Sequence, residues 1–183
     1  MKDLSLHILD IVQNSIRANA RNVGISIAEQ AGAGILVIEV SDDGSGMPQE
    51  VLERVTDPFY TSRTTRKVGL GIPLFKQNAE ATGGSLHIRS VIGEGTTLRA
   101  TFSLDHIDRP PLGDMAGVVV ILVSANPEIR FIYRHKVEEE EFVFDTAEIT
   151  EILGEVPVND PQVMRFLKEM INENLAALRA PTI

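Results

Sequence analysis

The chain contains no cysteine at all, which excludes disulfides and thiolate metal sites, and its four histidines show no zinc-type spacing. Positive charge is scarce: 17 Lys and Arg stand against 26 Asp and Glu, for a formal charge of -9. A nucleic-acid-binding surface is therefore not expected, and no basic cluster along the chain argues otherwise. Long apolar runs are missing too. The stretch Gly117 to Val123 falls far short of the roughly 18 residues that a membrane span requires, and the first residues, broken by Asp3, His7 and Asp10, lack the apolar core of a secretory signal. No repeat is present, and the acidic run from Glu138 to Glu141 reads as a solvated turn. These absences lead us to expect a soluble, cytoplasmic protein with neither a nucleic acid nor a membrane as partner.

At 183 residues the chain can bury one full core with a smaller appendage, since domains commonly hold about 100 to 200 residues. Leu4, Ile8, Ile11, Val12 and Ile16 fall on one helical arc over residues 3 to 20, with His7, Asp10, Asn14, Arg17 and Arg21 on a polar arc beside it. Val23 to Ala28 and Ile35 to Val40 read as a hairpin whose second strand is the more buried. Pro48 opens a short helix through Val55. Residues 57 to 67 are polar and aperiodic and read as a loop, followed by a helix from about Gly69 to Ala81 that Gly83-Gly84 stops. Ser85 to Ser90 and Thr97 to Leu104 are the next strands. Pro110-Pro111 then breaks the pattern, which divides the chain into 1–108, a linker at 109–116, and an extension at 117–183. Strands are expected there at Val118 to Val123, Ile129 to Val137 and Glu141 to Phe144, and helices at Thr146 to Leu153 and Pro161 to Leu178. Three placements are open for this extension: continuing the main sheet, forming a satellite, or making a homodimer interface.

Four short segments recur at element boundaries in a fixed order: Asp10 to Asn14, Asp42 to Met47, Gly69-Leu70-Gly71, and Gly93 to Thr96. One such segment is an ordinary turn; four in order outline a nucleotide pocket. A carboxylate at a strand end, Asp42, suits the exocyclic amine of adenine. Gly44 and Gly46 allow the backbone to approach the base. Gly69, Leu70 and Gly71 at a helix start offer free amides and a positive dipole end to phosphates, and Arg63, Arg66 and Lys67 add cations on the preceding loop. Asn14 offers a neutral oxygen to a magnesium ion held mainly by phosphates and water, and Asp10, one turn away, could orient a water. The plain alternative for Asp10 is a contact with Arg17 or Asn14 on the same helix face.

At these residues, from about Leu4 to Phe102, the chain resembles the GHKL superfamily of type II topoisomerases, heat-shock chaperones, histidine kinases and mismatch-repair ATPases. Asp10 to Ser15 looks like the family's Asn box and Asp42 to Met47 like its first glycine box. Gly69-Leu70-Gly71 looks like the second, Asp57 to Arg63 is similar to the phenylalanine box of histidine kinases, and Gly93 to Thr96 resembles the final box. The resemblance implies a Bergerat fold, an α/β two-layer sandwich with helices on one face of a mixed sheet. It also implies ATP and magnesium as ligands, with Asn14 on the metal, Asp42 on adenine and Thr96 fixing the base through water. Hydrolysing and serine-kinase members carry Glu where Asp10 stands, and hydrolysing members often carry Asp where Arg17 stands, so chaperone-like hydrolysis is less favoured. After Arg63 the family's glycine-rich lid is replaced by Thr64 to Val68. The reading is a stand-alone kinase-like protein, similar to the histidine-kinase catalytic domain or the anti-sigma serine kinases, transferring a phosphoryl group to a protein partner, with a nucleotide-gated binding module or a slow ATPase as alternatives. His106 superficially echoes a phosphoacceptor box, but Pro110 and Pro111 are incompatible with a helix there. His7 reads as a surface residue at the helix start.

Overall fold

A computed structural model describes residues 2–57 and 71–179. Helix α1 (Leu4–Arg17) begins where the Asp3 carboxylate accepts the Leu6 amide at 3.1 Å, and its Leu4, Ile8, Ile11 and Val12 are buried. Asn19, with φ +57°, turns the chain out of the helix. Strands β1 (Asn22–Gln30) and β2 (Ile35–Asp42) form an antiparallel hairpin with Gln30 opposite Ile35 and Val23 opposite Asp42. Helix α2 (Gln49–Leu52) starts one residue after Pro48 and is shorter than its sequence suggests. Helix α3 (Gly71–Ala81) is followed by β3 (Ser85–Val91) and β4 (Gly95–Ser103). Beyond the prolines come α4 (Met115–Ala125), β5 (Arg130–Val137), β6 (Glu140–Asp145), α5 (Thr146–Leu153) and α6 (Pro161–Arg179).

The six strands make one mixed sheet in the order β3-β4-β2-β1-β5-β6. All pairs are antiparallel except β1 with β5, which run parallel with Asn22 opposite Arg130. The C-terminal segment therefore continues the main sheet. Alternation sends Ile25, Ile27, Ile38, Val40, Leu98, Phe102, Phe131 and Tyr133 to one face, where they form a single core with α1, α3, α4 and α6. Phe75 of α3 sits between the rings of His7 and Phe102, 5.4 Å from each centroid. The opposite face carries polar pairs such as Arg99 with Glu39 at 3.3 Å.

One expectation is corrected. Val118 to Val123 lies in helix α4, although its β-branched run favours a strand. Asp114 caps that helix by accepting the Gly117 amide at 2.8 Å, and Val118, Val119, Val120, Leu122 and Val123 are all buried. A short, wholly apolar run has no periodicity to separate helix from strand, so packing decided. The expected strands at β5 and β6 and both later helices are present.

The end of α6 is tied to the sheet through a polar chain that runs from the buried Tyr133 and His135 to the exposed Arg179. The Tyr133 hydroxyl lies 2.8 Å from His135 Nδ1, His135 Nε2 lies 2.7 Å from Glu29 Oε1, and Arg179 donates to that same oxygen at 2.7 Å. Bonding to His135, with Arg179 adding to it, pulls the Glu29 carboxyl down to about 2. Burial pushes the Tyr133 hydroxyl up, so it stays neutral.

Candidate nucleotide site

Asp42 ends β2, and its carboxylate is fixed from two sides. The buried Ser15 hydroxyl, on α1, donates to Oδ2 at 2.6 Å, and the Gly44 amide donates to Oδ1 at 2.9 Å. Each oxygen keeps a lone pair for a further donor. Asp43, its neighbour, is engaged elsewhere. It accepts the Arg21 and Asn22 amides and the Asn22 side chain, all within 2.8 Å, and these bonds, that of the Asn22 side chain above all, hold its carboxyl below the usual range. Of two adjacent aspartates, one anchors the start of β1 and the other is free to face a ligand.

Thr96 stands directly across from Asp42 in the β2–β4 ladder. Its hydroxyl meets Ser90 Oγ at 2.8 Å, and that same oxygen accepts the Met47 amide at 2.8 Å. The first and last glycine segments are thereby stitched together, a link extended by the Gly93 amide on the Ser45 carbonyl at 2.8 Å. Gly46 has φ +67°, and a Cβ there would collide with the Val91 carbonyl, so only glycine fits the crossing. Gly44 abuts Ala18 at the end of α1, where the Ser45 amide donates to the Ala18 carbonyl at 2.9 Å.

Asp10 and Asn14 lie one turn apart on the half-exposed stripe of α1. Arg17 donates to Asn14 Oδ1 at 2.7 Å, so this oxygen already faces a cation. Gly71, the first residue of α3, is packed so closely on Asp10 that a Cβ would collide with its carboxylate. The structure thus brings Asp10 to Gly71, Asp42 to Ser15 and Gly44, and Met47 to Thr96 through Ser90. Arg63, Arg66, Lys67, Gly69 and Leu70, with most of the segment resembling a phenylalanine box, lie outside the described residues. Among the described residues no group of three or more His, Asp or Glu is placed to hold a metal. A neutral oxygen such as Asn14 Oδ1 fits a magnesium ion carried in by phosphates.

Ser15 and Ser90 join the candidate site only through the structure. Ser15 follows Asn14 directly, and only the docking of α1 on β2 turns its hydroxyl to Asp42. His7 is a correction. It is 1% exposed rather than at the surface, because α3 covers it: Asn78 Nδ2 lies 2.9 Å from its Nε2, and Phe75 stacks on its ring. His106 lies in an irregular turn, with its Nδ1 accepting the Asp108 amide at 3.1 Å.

Known proteins are similar to this chain in sequence and in fold. Over 96 residues the chain is 32% identical to sporulation kinase C of Bacillus subtilis, covering 52% of this chain and 22% of that one. It is 34% identical over 113 residues to sensor histidine kinase WalK of the same organism, covering 57% and 18%. The chain therefore spans about a fifth of the length of these relatives. A solved structure described as the N-terminal domain of a DNA repair protein superposes with a TM-score of 0.60 at 16% identity, over 98% of this chain and 57% of that one. At that identity the likeness is one of fold, and it takes in the C-terminal strands and helices as well. The model of the histidine kinase-, DNA gyrase B- and HSP90-like ATPases matches residues 2–106. With more than half its length matched and the Bergerat-type sheet in place, the chain belongs to that ATPase family.

Proposed function

We propose that this chain binds ATP with magnesium and transfers the γ-phosphoryl group to a protein partner in the cytoplasm. The observation that carries the reading is the Asp42 carboxylate, aimed by Ser15 and Gly44 and standing across from Thr96. In this reading Asp42 accepts the adenine amine and Thr96 holds the base through water. Gly44, Gly46 and Met47 line the base, and the amides at the start of α3, with Gly69, Leu70, Gly71 and the cations Arg63, Arg66 and Lys67, receive the phosphates. Magnesium would neutralise phosphate charge, with Asn14 completing its shell once Arg17 turns to the phosphates. Asp10 takes the proton of the acceptor as the acceptor atom bonds to the γ-phosphorus. The bond from that phosphorus to the bridging oxygen breaks, and ADP leaves with the electron pair. Residues 1–108 supply every group named, 109–116 link them onward, and 117–183 complete the sheet.

A second reading, a nucleotide-gated binding module without turnover, draws on the Arg17 contact with Asn14. In it, nucleotide exchanges that contact for its own and alters partner affinity. A slow ATPase is the third. Phosphate appearing on an added partner separates the first from the second, and partner-free phosphate release identifies the third. The test of the pocket is calorimetric titration with a non-hydrolysable ATP analogue, with and without magnesium. Magnesium-dependent binding is expected; no binding at millimolar analogue would sink the assignment.

A further inference from the structure

Ser90 of β3 stands across from Thr96 of β4, and Thr96 across from Asp42 of β2, so these side chains form a polar row on one face of the sheet. Two positions along each strand, the same face carries the apolar row Ile88, Leu98 and Val40, which belongs to the core. The polar row therefore begins where the core under the helices ends. Ser90 Oγ accepts the Met47 amide at 2.8 Å. Its single proton has two acceptors in reach, the Gly95 carbonyl at 3.1 Å and Thr96 Oγ1 at 2.8 Å. Bonds from a hydroxyl to an oxygen centre near about 2.7 to 2.8 Å and thin out beyond about 3.0 Å, which favours Thr96 as the acceptor. A Thr96 hydroxyl that accepts from Ser90 keeps its own proton for another partner.

We propose that Ser90 is a positioning residue that sets base specificity: by donating to Thr96 it turns the Thr96 proton toward the ligand, and so fits the pocket to adenine. The inference rests on the nucleotide reading of the preceding section, in which Asp42 accepts the adenine amine and Thr96 reaches the base through water. Asp42 and the ring nitrogen beside that amine are both acceptors, so a water between them gives one proton to each. Its third bond has to be donated to it. Thr96 makes that bond only when its proton is not turned to Ser90, the orientation that the Ser90 donor enforces. Hypoxanthine reverses both groups, with a carbonyl in place of the amine and an N–H in place of the bare nitrogen, and the same row leaves both mismatched. Without the Ser90 hydroxyl, Thr96 turns either way and serves both bases.

Calorimetric titration of the full chain with magnesium and the imidotriphosphates of adenosine, inosine and 1-deazaadenosine tests this. The deaza form has a carbon in place of the acceptor nitrogen, and wild type should bind it about tenfold more weakly than the adenosine form. Ser90→Ala should lower the preference for adenosine over inosine about three- to tenfold. Ser90→Thr, which keeps the hydroxyl, should hold that preference within about twofold of wild type. A folded Ser90→Ala that weakens both nucleotides equally, or leaves the preference unchanged, would make Ser90 a strut for the Met47 amide and overturn the proposal. Wild-type protein that binds the deaza and adenosine forms equally overturns it too, whether or not the variants fold. Either of those outcomes leaves ATP binding itself intact; failure of wild type to bind the adenosine form removes the nucleotide reading and the role of Ser90 with it.

Discussion

At the scale of single residues, Asp42 and Glu29 are both carboxylates with fixed oxygens, yet they answer different questions. Asp42→Asn keeps the shape and discards the charge, so adenine recognition should weaken about ten- to a hundredfold, the range for hydrogen bonds to charged groups. Titration calorimetry reads it, and unchanged affinity would remove Asp42 from the base. Ser15→Ala should weaken binding by less, because it releases the carboxylate without neutralising it. Glu29 reports on stability instead. Its folded value, about 2, lies below its ordinary 4.5, so its contribution is complete above roughly pH 4.5 and fades as pH falls toward 2. Urea midpoints of wild type should drop through that window more steeply than those of Glu29→Gln. Parallel curves would show that the His135 and Arg179 bonds carry no net stability.

At the scale of elements, α4 is the test case, since its β-branched residues argue against the helix they form. Asp114 both caps it and accepts from Lys168 Nζ of α6 at 2.8 Å. Removing the cap by Asp114→Ala should cost about 1 kcal/mol. Lys168→Met, which breaks an exposed pair only, should cost at most about 0.5 kcal/mol. Equal losses in chemical denaturation would assign the stability to the ion pair rather than the cap. Helix α1 was legible because its apolar residues repeat at helical spacing, and the β1–β2 hairpin because an alternating strand and a nearly all-apolar one flank Gly32 and Gly34. Helix α4 was not, because a run apolar on every side gives no face to read. The burial of His7 was equally hidden. Its spacing groups it with Asp10 and Asn14, and only the arrival of α3, some 70 residues later, separates a covered position from an open one. Asp42 and the glycines could be read because turn geometry and close approach restrict residue type locally. Ser15 and Ser90 could not, since a hydroxyl is compatible with almost any setting until a partner is brought to it.

At the scale of the molecule, the named site residues all precede residue 108, yet the fold that holds them does not end there. β1 is an interior strand only because β5 lies beside it over eight positions, Asn22 to Glu29, and α1 packs on α4 as well as on α3. A chain cut after residue 114 would expose the edge of β1 and the apolar surface under α4 and α6. We expect it to associate or unfold rather than remain a monomer, because a long uncovered strand edge recruits other chains. Size-exclusion chromatography with light scattering decides this. A monomeric, cooperatively unfolding fragment would show that the N-terminal part is self-sufficient.

The parallel pairing of β1 with β5 also sets a clock. Asn22 and Arg130 lie 108 positions apart along the chain, so at about 5 to 20 residues per second a ribosome needs roughly 5 to 20 s to deliver the second strand after the first. Throughout that interval the nascent chain shows β1 with one side unoccupied. Contacts this remote in sequence form late and slowly. The interval before β5 emerges is thus the period in which the protein most depends on chaperones, and in which a pause in translation would most readily divert it to aggregation.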